Sequence, residues 1–239
     1  MNSHYTYYII LAASLAGPLA LSFDKKVAFY KRWKYLVIPM FIPAALYVAW
    51  DSFFTKEGVW WFNEKYITGH HLFGLPIEEI LFFFVVPYCC VFVYECIRCY
   101  FPNLKKKVWG DRVLQLIAVL SIIAGAVFYD KYYTSWTFFF LGIFIGMVYV
   151  WKSWFKGFDA VSFVVSYIII LVPFLIVNGF LTAIPVVLYN DAENLGIRMY
   201  TIPFEDTFYG MLLIMMNVAL YERVLKREQF KMVNSRNKL

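Results

Sequence analysis

Two short acidic sequences, Pro76-Ile77-Glu78-Glu79 and Pro203-Phe204-Glu205-Asp206, hold the side chains of this 239-residue chain best suited to moving protons. Each stands at the start of an apolar run, so its carboxyls sit at the edge of greasy surroundings. A carboxylate inside a membrane is costly and by default marks a functional site facing the bundle interior. Adjacent residues lie about 100° apart around a helix, so one acid of each pair can face the bundle centre while the other faces a neighbour. Two carboxyls in one apolar site do not ionise together readily, which leaves a neutral acid beside an ionised base. Either motif alone also reads as an ordinary helix start, with Pro at the first position and acids in the first turn. Its recurrence favours chemistry, because caps are interchangeable among many residue types.

The elements that must position these acids are long and apolar. Hydrophobic residues make up 62% of the chain and charged residues 16%, against about a quarter charged in a soluble domain. Seven runs suit helices that cross about 30 Å of hydrocarbon, at residues 5–23, 35–51, 79–97, 113–129, 132–151, 160–179 and 206–222. The first reads as a mature helix rather than a signal peptide, with no basic region before it and no small-residue cleavage site after it. The net charge of +6 is topological. Loops 24–34 and 98–112, Lys152 with Lys156, and the tail from Arg223 to Lys238 hold 18 of the 22 basic residues. That bias places the N-terminus outside and the C-terminus in the cytoplasm, and nucleic-acid binding is not expected.

A shift of 127 residues superposes a set of unusual positions. Phe53 meets Phe180, Thr55 meets Thr182, Asn63 meets Asn190, and Gly69 meets Gly196. Each acidic motif meets the other, and Tyr94-Glu95 meets Tyr221-Glu222. The sequence therefore predicts an all-α membrane protein of seven transmembrane helices, built as two parallel three-helix repeats. The expected units are 1–101 and 131–225, joined by a basic loop and linking helix over 102–130 and followed by a basic tail over 226–239. Both acidic motifs then lie on the outer side.

Along the third span, Glu78 and Glu95 are 17 residues, or about 26 Å, apart. Arg98 anchors Glu95 at the cytoplasmic edge and so draws Glu78 and Glu79 into the outer edge of the hydrocarbon. Aromatic residues crowd the acids, among them Trp60, Trp61, Phe62, Phe82, Phe83, Phe84, Phe204, Phe208 and Tyr209. Their faces can stabilise a cation, and each alone also fits an interfacial belt. His70-His71 occurs in one half only and its side chains point apart on a helix, so no metal site is expected. Cys89, Cys90, Cys96 and Cys99 fall in or beside one segment, unlike a disulfide framework. Asp51 and its counterpart Asn178 end the second span of each half and read as helix-end residues rather than polar glue between helices.

These residues resemble a known family. Tyr5-x-Tyr7 through Pro18-Leu19-Ala20-Leu21-Ser22-Phe23, the stretch Asn63…Tyr66…Gly69…Pro76-Ile77-Glu78-Glu79, and the second Pro203-x-Glu205-Asp206 are similar to the membrane-embedded lycopene cyclases in their fused two-repeat form. The second half departs at Glu193, where the first has Tyr66, and at Ile197-Arg198, where the first has the histidines. The resemblance implies a lycopene β-cyclase of carotenoid biosynthesis, taking a hydrophobic carotene from the bilayer of a bacterial inner membrane. It implies a non-redox reaction without cofactor or metal, and it is compatible with a homo-oligomer. An acid protonates C2 of the linear end group, the cation closes onto the neighbouring alkene, and a base removes a ring proton. Loss from C6 gives a β-ring and loss from C4 an ε-ring. Glu78 and Glu205 are expected to supply the central acid–base function, with Glu79 and Asp206 as partners. Replacing Glu78 or Glu205 with Gln is then expected to abolish ring formation. Trp61, Asn63, Phe82, Phe83, Asn190, Phe208 and Tyr209 are expected to contact substrate.

A small transporter or channel using paired carboxylates is the competing function, and it would need discontinuous spans in both halves. Pro173 with Asn178-Gly179 is the candidate break in span six. A retinal protein would need a lysine within 207–221, which has none. An intramembrane prenyl transferase would need aspartate-rich magnesium sites, and no such cluster occurs.

Overall fold

The computed structural model describes residues 3–236, without the side chains of 105, 106 and 233–236. Of the basic residues that set the charge bias, Lys238 and the side chains of Lys105, Lys106 and Arg236 thus lie outside the described residues. The helices are α1 (Thr6–Leu21), α2 (Trp33–Lys56), α3 (Ile77–Tyr100), α4 (Trp109–Val127), α5 (Tyr132–Val150), α6 (Ala160–Ala183) and α7 (Phe204–Arg236). Six of them, α2 to α7, are long and apolar enough to cross a membrane. The seventh expected span falls short: α1 has 16 residues, about 24 Å against about 30 Å of hydrocarbon. Beyond Leu21 the chain leaves the helix in tight turns, and Asp24 Oδ2 accepts the amides of Lys26 and Val27 at 2.8 and 3.0 Å. Those amides hold the Asp24 carboxyl below the usual carboxylate range.

Prolines inside α2, α3 and α6 do not interrupt them. The break expected at Pro173 and Asn178-Gly179 is absent, and α6 runs unbroken to Ala183. Near its end, Thr182 Oγ1 donates to the carbonyls of Asn178 and Gly179 at 2.8 and 3.4 Å. Backbone groups at a weakened stretch of membrane helix are satisfied by such side chains.

At one end of the bundle, β1 (Trp60–Phe62) pairs antiparallel with β4 (Val187–Tyr189). The register is reciprocal at the offset of 127: Trp60 faces Tyr189, Trp61 faces Leu188 and Phe62 faces Val187. Asn63 N donates to Val186 O and Asn190 N to Val59 O, both at 2.9 Å, which repeats the reciprocity. Two small hairpins follow, β2–β3 (His71–Leu72 with Leu75–Pro76) and β5–β6 (Arg198–Met199 with Ile202–Pro203). Phe73 and Gly74 turn the first with φ of 57° and 79°, the left-handed pair that a two-residue hairpin prefers. Each hairpin delivers its proline straight into a helix, so the acids fall in the first turn of α3 and α7.

The gapless shift does not extend to α1 and α5. Tyr7 N donates to Tyr66 O at 3.1 Å, and Tyr133 N to Glu193 O at 2.9 Å. Residues 66 and 193 differ by 127, whereas 7 and 133 differ by 126. The bond runs to the backbone, so Glu193 takes the place of Tyr66 without changing it.

The opposite end carries a buried ionic cluster. Tyr94 donates to Glu222 at 3.3 Å and Tyr221 donates to Glu95 at 3.0 Å, another reciprocal exchange. Arg98 bridges both glutamates and Arg32 pairs with Glu95. Both glutamates are fully buried. Removing one partner of a buried pair leaves an uncompensated charge. Arg98→Ala is therefore expected to lower stability by about 3 kcal/mol, read as a lower midpoint of thermal unfolding in detergent.

Candidate functional site

An apolar cavity of about 250 Å³ lies between α1, α3, α6 and α7, with its polar groups gathered near the β1–β4 end. Glu79 and Asp206, one from each acidic motif, line it together with Asp51 from α2. All three are buried. The hairpins set this rotation: Glu79 and Asp206 are the second acids of their motifs, and the helix turns them inward while Glu78 and Glu205 face the loops.

Glu78 and Glu205 serve those loops. Glu78 Oε1 accepts the Thr68 amide and Glu205 Oε1 the Leu195 amide, each at 2.8 Å. Thr134 donates to Glu205 Oε1 as well, at 2.6 Å. Oε2 of each has no hydrogen-bond partner among the described residues. Neither residue lines the cavity. Of each motif, then, the second acid lines the cavity and the first clamps a loop.

Glu79 and Asp206 have different surroundings. Tyr7 donates to Glu79 Oε2 at 2.6 Å. Asp51 lies within hydrogen-bonding reach of Glu79, and Tyr209 donates to Asp51 Oδ1. Asp206 instead receives three donors: Tyr133 at 2.5 Å, Tyr189 at 3.0 Å and Asn178 Nδ2 at 3.3 Å. Asp51 and Asn178 differ by 127 and hold equivalent places against Glu79 and Asp206. They are not mere helix-end residues, because α2 continues to Lys56 and α6 to Ala183.

Of the side chains expected to contact substrate, Phe82 and Tyr209 line the cavity. Trp61 does not and is 46% exposed. Successive strand residues point to opposite faces, so its neighbours Trp60 and Phe62 line the cavity instead. Asn63 and Asn190 accept the Lys65 and Ala192 amides at 3.1 Å and shape turns. Phe83 packs on Tyr47 and Phe208 on Phe138, with ring centroids 5.4 and 4.8 Å apart. His71 pairs with Glu64 at 3.5 Å and does not line the cavity. Arg198, where the other half has that histidine, bonds Asp191 and holds its carboxyl below the usual range. Sequence reasoning missed Tyr7, Tyr133, Tyr189 and Asp51; pairing Tyr7 with Tyr133 at an offset of 126 would have found the first two.

From the acids the cavity follows α3 as far as Val93, fourteen residues and so about 21 Å from Glu79. Ser14 and Pro18 of α1 and Pro173, Phe174 and Val177 of α6 form its walls. The corresponding place between α5 and α2 is filled. There Phe140 stands for Ser14 and Trp50 for Val177, with ring centroids 4.9 Å apart, and Trp136 stacks on Phe53 at 5.3 Å.

Such a site can donate a proton, accept one and face a cation with aromatic rings, all away from bulk water. A family model described as lycopene cyclase matches residues 4–97 and 130–224, leaving out the whole of α4. The bifunctional lycopene cyclase/phytoene synthase of Leptosphaeria maculans is 25% identical over 165 residues, covering 63% of this chain and 26% of that protein. The protein of the same name from Aspergillus niger is 25% identical over 133 residues, covering 52% and 21%. The chain thus spans about a quarter of the length of these curated relatives. No solved structure matches it.

Proposed function

Because the chain belongs to the lycopene cyclase family, we propose that it closes the linear end groups of lycopene into β-ionone rings, giving γ- and β-carotene. The observation that carries this reading is one apolar cavity holding Glu79, Asp206 and Asp51 at a single end. Protonation at C2 of the end group creates a tertiary cation, and the neighbouring double bond attacks it to form the C1–C6 bond. Removal of the C6 proton leaves the β-ring. No electrons are gained or lost, so the reaction takes no redox cofactor. Trp60, Tyr133 and Tyr209 stand beside the acids, where their rings can face the migrating positive charge.

Cavities that enclose a drug-sized ligand run about 300–1,000 Å³, so this one suits one end group with the polyene laid along the α1–α6 groove. The carotene enters from the bilayer, one end at a time. The chain sits in a bacterial inner membrane as two parallel repeats, N-terminus outside and C-terminus cytoplasmic, with the 16-residue α1 as a seventh crossing that local thinning of the bilayer accommodates beside the six longer helices. A transporter or channel is less favoured, since none of the described helices is discontinuous. Expression in cells that accumulate lycopene tests the proposal. Cyclised carotenes are expected in the pigment extract; unchanged lycopene beside well-inserted protein would reject it.

A further inference from the structure

Resting on the cyclase reading, we propose that Asp51 is a third catalytic carboxyl, sharing one proton with Glu79 as the acid of the site, and that Asp206 is the base. The two halves differ most at this point. Glu79 faces a carboxyl, Asp51, where Asp206 faces an amide, Asn178. Tyr7 donates to Glu79 and Tyr209 to Asp51, but neither hydroxyl supplies a hydrogen between the two carboxyls. Two acids in contact, both buried in a cavity that no described basic side chain lines, are held together by a proton between them. Asp206 is surrounded oppositely: three donors point at its two oxygens, the pattern of an ionised acceptor.

The reaction then has a direction across the cavity. The shared proton moves from the Asp51–Glu79 pair to C2, and the electron pair of the C1=C2 bond forms the new C–H bond. The C5=C6 pair forms the C1–C6 bond and leaves the cation at C5. Asp206 takes the proton from C6, whose bonding pair restores the C5=C6 double bond. Return of that proton from Asp206 to the pair resets the site, and the product is an isomer of the substrate.

Asp51→Asn is a discriminating change. The amide oxygen keeps the Tyr209 bond and the amide nitrogen can donate to Glu79, so the first half acquires the arrangement of the second and loses its transferable proton. The carboxylic C=O stretch of the purified protein at neutral pH, read by infrared difference spectroscopy, reports the shared proton without any turnover. Glu79→Gln probes the same band from the other partner should Asp51→Asn fold poorly. We expect a protonated-carboxyl band that is lost in both D51N and E79Q and kept in D206N. Cyclisation by D51N is expected to fall about 100-fold or more. A band that survives in both D51N and E79Q, or D51N cyclisation close to wild type, would overturn the proposal. Wild-type protein with the expected band pattern but no cyclisation would reject the cyclase reading while leaving the shared proton in place.

Discussion

Asp206→Asn and Glu79→Gln are each expected to lower ring formation by about 10³-fold, within the 10²–10⁴ that a positioned acid or base contributes, and Glu78→Gln and Glu205→Gln by less than about tenfold. The contrast follows from where the four side chains point. Glu79 and Asp206 line the cavity, and an amide at either place can neither deliver nor keep a proton. At Glu78 and Glu205, the amide oxygen still accepts the Thr68 or Leu195 amide, so the loops hold their shape. Alanine at those places removes the acceptor and leaves a partly buried N–H without it, a cost of about 1 kcal/mol. The check is pigment analysis of membranes carrying equal amounts of each variant. Equal losses at all four positions would show that both acids of each motif take part in proton transfer.

Val177→Trp is expected to cut ring formation by about 10²-fold or more, the loss that misplacement of a substrate by about 1 Å can bring. It places on α6 the side chain that α2 carries at Trp50, where the equivalent groove is filled. The polyene then cannot lie along α1 and α6, although the carboxyls remain intact. Val177→Ala, which only widens the groove, should retain most of the activity. Overpacking costs about 1–3 kcal/mol, so inserted protein must be quantified beside the product. Retained cyclisation in Val177→Trp would place the substrate path elsewhere. On the cyclase reading the same comparison predicts one groove rather than two, since Phe140 and Trp50 occupy the second.

Helical membrane architecture was legible in the chain because hydrocarbon leaves the backbone few options, and runs of apolar residues report them directly. The duplicated acids were legible as well, since a fixed offset between rare residue types needs no coordinates to be seen. So was the gathering of Glu95, Glu222 and their basic neighbours at one end. Which acid of each motif faces inward was not. Adjacent helical residues differ by about 100°, and the rotation is set by hairpins whose backbone bonds, such as Ile77 N to His70 O and Phe204 N to Ile197 O, join residues several positions apart. That Trp61 stands outside the cavity was hidden for a related reason: the strand pairing that turns it outward and Trp60 inward joins segments more than a hundred residues apart. Asp51 shows the limit most clearly. A carboxyl near the end of an apolar run looks the same in sequence whether it meets water or another carboxyl, and the packing of α2 against α3 and α7 alone brings it to Glu79 and Tyr209.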